Sequence, residues 1–546
     1  MDRLLLGQER LDEEKRRGLW PGRVITDYFD RWVAEKPEAC ALVTWREEQG
    51  QLLRFTYREL AERAARAGRA LAGCGVGRGD VVAFQLPNCW QFVAAHLGCV
   101  RLGAVSNPLM PIFRHRELSF MLRHGDARVL IAPASFRGFD HGALARRLLG
   151  ELPNLARVLV ADGDGEDSFE AALDAAGGAA CARGARLEPD DVMQLLYTSG
   201  TTGEPKGALH TSNTLLSAVG EYAKRMQIGG QDVIFMPSPL GHQLGFCYGL
   251  QMALMLGIPL VLADVWNPER ALELMRAHGA TYTCGATPFL ADLASLPGVE
   301  SRRAPRLRLF TSSGAPIPPA VVEAARKRLG VRVATCWGMT ECASVTITPP
   351  DEHKVLESDG CALPNGEVRV LGADGREAPR GTVGALQVRG SSLFVGYLKR
   401  PELSRLHEGG WFDTGDVARM DDEGYIRICG RSKDVIIRGG ENIPVVEIES
   451  ALYGMREVTD AAIVAMPDPR LQERACAFVT LKPGCSLSLD AVRRHLAAQG
   501  FSKHFWPERL EVVEQMPRTA TGKIQKFVLR EAARKLAAAG GAAVNF

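Results

Sequence analysis

The chain reads as an α/β protein: a large N-terminal domain of mostly parallel sheets flanked by helices, followed by a small α+β domain. Three observations predict this. At 546 residues the chain is too long for one compact core. Through the first three quarters, short apolar runs alternate with amphipathic stretches, the pattern of parallel strands covered by helices on both faces. After about Cys429 the texture changes to short strands mixed with helices, within the size of a compact second domain.

In chain order, the strand candidates of the large domain are Val81–Leu86, Arg128–Ala132, Ala156–Val160, Pro259–Ala263, Leu307–Thr311 and Val331–Thr335. The helical stretches between them include Tyr57–Ala72, Thr211–Met226, Pro268–His278 and Pro318–Leu329. Residues 162–190 are rich in Ala, Gly and Asp and weakly patterned, as expected of a surface connection. The run Phe246–Ala263 carries no charge, but Gly249, Gln251, Gly257 and Pro259 interrupt it. It is expected to be a buried helix running into a core strand, not a membrane span. In the small domain the pattern predicts strands at Val435–Arg438, Ala461–Ala465 and Ala475–Leu481, and helices at Val445–Tyr453, Leu489–Ala498 and Phe527–Ala538.

Composition excludes several classes. Hydrophobic residues make up 46% and charged residues 24%, ordinary for a soluble globular chain. A net charge of +2 gives no reason to invoke nucleic acid. The 13 cysteines are scattered without a Cys-x-x-Cys pair, which fits reduced thiols in a cytoplasmic protein better than a disulfide framework or a zinc site. The N-terminal Leu4–Leu6 run is too short for a signal peptide, and the acids Glu9, Asp12, Glu13 and Glu14 argue against a mitochondrial presequence.

The most informative segment is Leu195 to Thr211. Apolar residues suited to a buried strand lead into Thr198-Ser199-Gly200-Thr201-Thr202-Gly203-Glu204-Pro205-Lys206-Gly207. Glycines let backbone N–H groups turn toward a ligand, and hydroxyls with one ammonium complete a cradle for polyanionic oxygen. The triphosphate of ATP is the natural guest. The spacing is not that of a Walker loop, because Lys206 stands between Pro205 and Gly207 and no Ser or Thr follows it. The stretch resembles the signature of the adenylate-forming superfamily, which includes acyl-CoA synthetases, luciferases and nonribosomal peptide adenylation domains.

Further stretches resemble that superfamily in its order. Ser312-Ser313-Gly314-Ala315-Pro316 is similar to its adenine-binding turn. Cys336-Trp337-Gly338-Met339-Thr340-Glu341 follows the strand expected at Val331–Thr335, and the carboxyl ends of strands are where open α/β sheets bind ligands. An aromatic ring can stack on adenine, a hydroxyl can hold the α-phosphate and a carboxylate can ligate Mg²⁺; the resemblance gives these roles to Trp337, Thr340 and Glu341. Many members carry Tyr where this chain has Trp337. Gly410 to Asp416, with Asp421 to Tyr425 beyond, resembles the ribose site and its hairpin: Asp416 reads the diol and Arg431 is its cationic companion. Arg431-Ser432-Lys433-Asp434 resembles the interdomain hinge, with Lys433 at the pivot, and Gly439-Gly440-Glu441 the turn lining the pantetheine tunnel. Pro517 to Ile524 resembles the loop that delivers the catalytic lysine, Lys523.

The resemblance implies an ATP-dependent carboxylate–CoA ligase with residues 1–430 as the adenylation domain and 431–546 as a small mobile lid domain. ATP, Mg²⁺ and coenzyme A are the implied cofactor and co-substrates; a small carboxylic acid is the partner, and a homodimer is left open. Lys206 and Lys523, with the loop amides and Mg²⁺, would neutralise charge as pyrophosphate leaves, Thr340 and Glu341 completing the catalytic set, with no covalent protein nucleophile. Between Val233 and Ala263 there is no Asp or Glu, which disfavours a free amino acid as substrate. His242, Gly245, Gly285 and Gly338 mark the expected acyl pocket, the glycines read together with Gly249 and Ala286 as room for a bulky group. The chain looks most like medium-chain and cyclohexanecarboxylate-type ligases. The alternative is an adenylating enzyme that loads a carrier protein or another acceptor.

Overall fold

The computed structural model describes residue 5 and residues 7–538, apart from 178–185, 199–204, 315–316, 350–352, 405, 433, 439–440 and 519–523. Two large sheets carry the N-terminal region. The first has nine strands, with a parallel centre formed by Arg332–Met339, Leu309–Ser313, Tyr282–Gly285, Ile234–Met236, Leu260–Ala263 and Cys40–Arg46 in spatial order. Antiparallel strands finish both edges: Gln51–Thr56 at one, Ala343–Ile347 and then Cys361–Ala362 at the other. The second sheet has seven strands; Val192–Thr198, Val105–Pro108, Val81–Phe84, Ala127–Pro133 and Arg157–Ala161 run parallel, while Lys206–Thr211 and Gly396–Tyr397 join antiparallel at one edge.

The helices form where the sequence caps them. Thr56 accepts from the Glu59 N–H and Glu59 returns a carboxylate to the Thr56 N–H, opening Tyr57–Gly73. Asn267 caps Pro268–Ala277, which has proline in its first turn, and Thr211 caps Ser212–Arg225. The Phe246–Ala263 run is a π-helical turn, Phe246–Gln251, then an α-helix, Met252–Leu256, then the core strand Leu260–Ala263. Its side chains pack with Phe84, Leu97, Tyr222 and Cys284 in a core fed by both sheets. Among the described residues no helix is long and apolar enough to cross a membrane.

A four-stranded antiparallel sheet follows, Gly366–Leu371, Gly384–Gly390, Phe412–Met420 and Ile426–Arg431. The C-terminal region builds its own sheet from Glu441–Asn442, Ile437–Arg438, Gln472–Leu481 and Val458–Asp468, with Arg509–Val512 parallel to Gln472–Leu481. Val445–Tyr453 and Leu489–Ala498 cover one face through Ile448, Leu452, Val492 and Leu496; Lys526–Ala538 covers the other through Leu529, Ala533 and Leu536.

Two expectations are corrected. The 162–190 connection contains a helix, Phe169–Ala175, capped by Ser168 and anchored by buried Phe169 and Leu173, a signal too short to show as periodicity. The strand expected to end at Thr335 continues to Met339, because Cys336 to Met339 pair with Ala343–Ile347, so half of the Trp337 motif lies inside the strand. Arg431 pairs with Asp416 at the end of the four-stranded sheet.

Candidate active site

The phosphate-loop segment is a β-hairpin whose last pair is Thr198 opposite Lys206. Ser199, Gly200, Thr201, Thr202 and Gly203 lie outside the described residues; the strands that close their loop are buried from Val192 to Tyr197 and from Gly207 to Thr211. Alternate side chains of a strand share a face. Lys206, Ala208 and His210 therefore point the same way, toward the segments around Glu341 and Tyr397.

Glu341 sits in a tight reversal. The strand Arg332–Met339 turns back through Cys342, whose N–H reaches the Met339 carbonyl at 3.1 Å, and Ala343 starts the return strand at φ +54°. A Cβ on Gly338 would lie 1.9 Å from the Ala343 carbonyl oxygen, so only glycine lets the two chains pass. The Phe394 N–H donates to the Glu341 carbonyl at 2.7 Å. The Glu341 side chain, 4% exposed, accepts the Tyr397 hydroxyl, and Lys206 Nζ lies 3.1 Å from that same hydroxyl and 4.4 Å from the Tyr397 ring centre. Burial, and then the Glu341 carboxylate, hold the Tyr397 phenol well above its ordinary range, so it stays protonated and donates.

Thr340 is fixed from behind. His210 Nε2 lies 2.7 Å from its carbonyl oxygen and His210 Nδ1 3.1 Å from Thr214 Oγ1. Burial lowers the His210 pKa to about 4, so the ring is neutral at pH 7; it donates from Nε2 to the carbonyl and accepts at Nδ1.

Trp337, Asp416 and Arg431 form a second chain. The indole N–H donates to Asp416 Oδ2 at 2.9 Å, and Arg431 Nε reaches Asp416 Oδ1 at 3.1 Å. Asp416 is buried while the Arg431 side chain is 42% exposed, so the carboxylate is held from inside and meets solvent beside the guanidinium. Thr414 Oγ1 accepts from the Asp416 N–H at 3.0 Å. Trp337 packs with Ala208, Phe394, Tyr397 and Phe412, which ties this chain to the Lys206–Glu341 one.

Gly314 ends the strand Leu309–Ser313 at φ +91°, a turn conformation suited to glycine; Ala315 and Pro316 lie outside the described residues. His242 is half-buried and its Nδ1 accepts from the Leu244 N–H at 3.3 Å, capping a one-turn helix. The glycines of the expected acyl pocket do not leave room by being small, which corrects the sequence reading. A Cβ on Gly245 would lie 2.3 Å from the Pro239 carbonyl oxygen, one on Gly285 2.6 Å from the Phe289 ring, and one on Gly249 2.6 Å from the Met236 side chain. The protein's own atoms fill those spaces.

In the C-terminal region, Lys433, Gly439, Gly440 and Lys523 lie outside the described residues, as does the side chain of Glu441. Their frames are described. Asp434 N–H donates to the Arg431 carbonyl at 2.8 Å beside the expected hinge, and Asp434 pairs with Arg530 of the last helix. The lysine loop is closed at its neck by a β-bridge between Arg518 and Ile524 and by the Gln525 N–H on the Pro517 carbonyl at 2.7 Å; Arg518 pairs with Asp460.

The structure thus brings Thr198, Lys206, Trp337, Gly338, Thr340, Glu341, Asp416 and Arg431 together from segments spread over more than two hundred residues. It adds two that sequence reasoning missed. His210 lay inside the quoted run and could have been found from strand alternation with Lys206. Tyr397 carried no signal beyond an apolar run ending in Gly-Tyr.

The chain is similar to known proteins over nearly its whole length. The family described as AMP-binding enzyme matches residues 29–398, and the AMP-binding enzyme C-terminal domain matches 447–523. A medium-chain fatty-acid–CoA ligase of Escherichia coli (strain K12) is 34% identical over 97% of this chain and 94% of its own. A salicylyl-CoA synthase / salicylate adenylyltransferase of a Streptomyces species is 34% identical over 96% and 97%. Among solved structures, the anthranilate CoA ligase AuaEII in complex with anthranoyl-AMP superposes with a TM-score of 0.86 at 27% identity, covering 95% of this chain and 98% of that one. ATP-bound MatB from Rhodopseudomonas palustris does so at 0.84 and 29%, covering 94% and 100%.

Proposed function

We propose, for a chain that belongs to the AMP-binding enzyme family and is an ATP-dependent, AMP-forming acid–thiol ligase, that its substrate is a medium-chain fatty acid or a cyclic or aromatic acid. The carboxylate attacks the α-phosphorus of ATP, the bond to pyrophosphate breaks, and the acid becomes an acyl-adenylate. The thiol of coenzyme A then attacks the acyl carbon and AMP leaves.

One observation supports the assignment of roles: Lys206 and Glu341 meet at Tyr397 while Trp337 and Arg431 meet at Asp416, with Tyr397 and Trp337 in one packed cluster. Lys206, Thr198 and the loop Ser199–Gly203 would hold the outer phosphates and Thr340 the α-phosphate. Asp416 with Arg431 would read the ribose diol, with Trp337, Gly314, Ala315 and Pro316 around adenine. Glu341 is a single buried carboxylate, the kind of hard oxygen donor that binds Mg²⁺ together with nucleotide phosphates. A bound Mg²⁺ would neutralise charge on the phosphates. Lys523 would bridge carboxylate and α-phosphate in the first step. Rotation of a lid, residues 431–546, about Lys433 would then replace it with Gly439, Gly440 and Glu441 along the pantetheine arm.

The acid assignment is supported by the relatives' substrates and by the acid-free stretch between Val233 and Ala263, which holds no carboxylate to pair with an α-ammonium. His242, Gly245, Gly285 and Gly338 would border the acyl group. Residence in the cytoplasm belongs to the same reading, supported by the unpaired cysteines among the described residues. The test is AMP release with free CoA across acetate, butyrate, hexanoate, octanoate, palmitate, benzoate, cyclohexanecarboxylate and amino acids. Acyl-CoA formed at the rate of pyrophosphate release, peaking on medium-chain or cyclic acids, supports it. Pyrophosphate release without acyl-CoA would favour a carrier protein or another acceptor instead.

A further inference from the structure

We propose that Tyr397 is a positioning residue that holds the Glu341 carboxylate ready for a metal ion and keeps Lys206 from closing onto it. The inference rests on the roles of Glu341 and Lys206 given above and adds a group to them.

The hydroxyl stands between two opposite charges. Its proton goes to Glu341 Oε1 and its lone pair faces Lys206 Nζ at 3.1 Å. No other arrangement works, because a carboxylate only accepts and an ammonium only donates. The ammonium also lies 4.4 Å from the ring centre, where the face of the ring attracts a cation. Lys206 and Glu341 are therefore two hydrogen bonds apart. With the oxygen gone, the two charges could meet directly, and the carboxylate, turned from its held position, would be less ready for a metal.

The hydroxyl can serve as a reference point because its strand is pinned. Tyr397 is 5% exposed, lies opposite Ala208 in the sheet, gives its N–H to Ser404 Oγ at 2.8 Å and packs edge-on against Phe394. The same segment grips Glu341 twice, through the Phe394 N–H on its carbonyl and the Tyr397 hydroxyl on its side chain. The N-terminal segment clamps it from outside: Arg10 donates to the carbonyls of Leu393 at 2.5 Å and Phe394 at 3.2 Å, and Trp20 Nε1 to that of Ser391 at 2.9 Å. A carboxylate fixed at both ends loses less freedom on binding a metal, which is how partners of metal-ligating groups tune affinity.

The test is calorimetric binding of α,β-methylene-ATP, without Mg²⁺ and with saturating Mg²⁺, to the full-length wild type, Tyr397→Phe, Glu341→Gln and the double variant. Tyr397→Phe keeps the ring, and a melting temperature near that of the wild type checks its fold. The expected result is that Mg²⁺ tightens nucleotide binding in the wild type and that Tyr397→Phe reduces this gain about tenfold, the size of effect seen when the partner of a metal ligand is removed. Its Mg²⁺-free affinity should change much less, and the double variant should lose no more of the gain than Glu341→Gln alone. Equal loss with and without Mg²⁺, or additive losses in the double variant, would overturn the proposal. A Glu341→Gln variant that keeps the full Mg²⁺ gain would instead overturn the assignment of Glu341, and the inference with it.

Discussion

The indole N–H of Trp337 and one carboxylate oxygen of Asp416 are 2.9 Å apart, and the other oxygen of Asp416 faces Arg431 at 3.1 Å. The aromatic residue assigned to adenine thus also orients the acid assigned to ribose. A tyrosine at this position has no N–H to offer, so the contact belongs to the tryptophan of this chain.

Trp337→Phe keeps an aromatic face and removes that donor. A hydrogen bond to a charged group contributes about 1.5–3 kcal/mol, so the KM for ATP should rise about tenfold or more. Turnover at saturating ATP should change far less. Steady-state kinetics with ATP as the varied substrate checks it; an unchanged KM would mean that Asp416 needs no help from the indole.

Gly338→Ala should be among the most damaging single changes in the large domain. Its Cβ would stand 1.9 Å from the Ala343 carbonyl, a main-chain atom held in a paired strand. Overpacking of this kind costs about 1–3 kcal/mol or more. The expected outcome is a lower melting temperature together with weakened ATP binding, since the same turn presents Thr340 and Glu341. A variant with both unchanged would show that the reversal can open.

Buried neutral histidines predict an acid-sensitive fold. His210 has its pKa lowered to about 4 and His96 to about 3, both by burial. In the unfolded chain each binds a proton below about pH 6.5. Between that pH and about 4 the unfolded state therefore carries more protons, and stability falls as the pH falls, by about 1.4 kcal/mol per pH unit for each such group. Above pH 6.5 neither contributes a slope. His210→Gln should flatten the decline of the unfolding midpoint between pH 6.5 and 4.5 by one proton's share, measured by urea melts at several pH values. An identical slope would place the protonation elsewhere.

Much of the fold was legible in the sequence, and particular residues show why some was not. Helices Val445–Tyr453 and Leu489–Ala498 match their expected bounds because each has a clear apolar face closing on a sheet. Phe246–Ala263 was legible because its glycines and proline mark where helix gives way to strand. Gly245 and Gly285 misled because a sequence cannot say whether the space beside a glycine is empty or filled by Pro239 and Phe289. Tyr397 was invisible because its partners, Lys206 and Glu341, reach it only through strand pairing across 191 and 56 residues. The motifs named the chemical groups; the sheet register decided which of them touch.

In the proposed reaction the acyl-adenylate is made with Lys523 and the thioester without it. The most direct measurement compares the two half-reactions in Lys523→Ala: pyrophosphate release from acid and ATP, and acyl-CoA formation from preformed acyl-AMP and CoA. The account predicts loss of the first by orders of magnitude, as expected when a positioned charge is removed from the transition state, with the second largely spared. Equal loss in both half-reactions would contradict it.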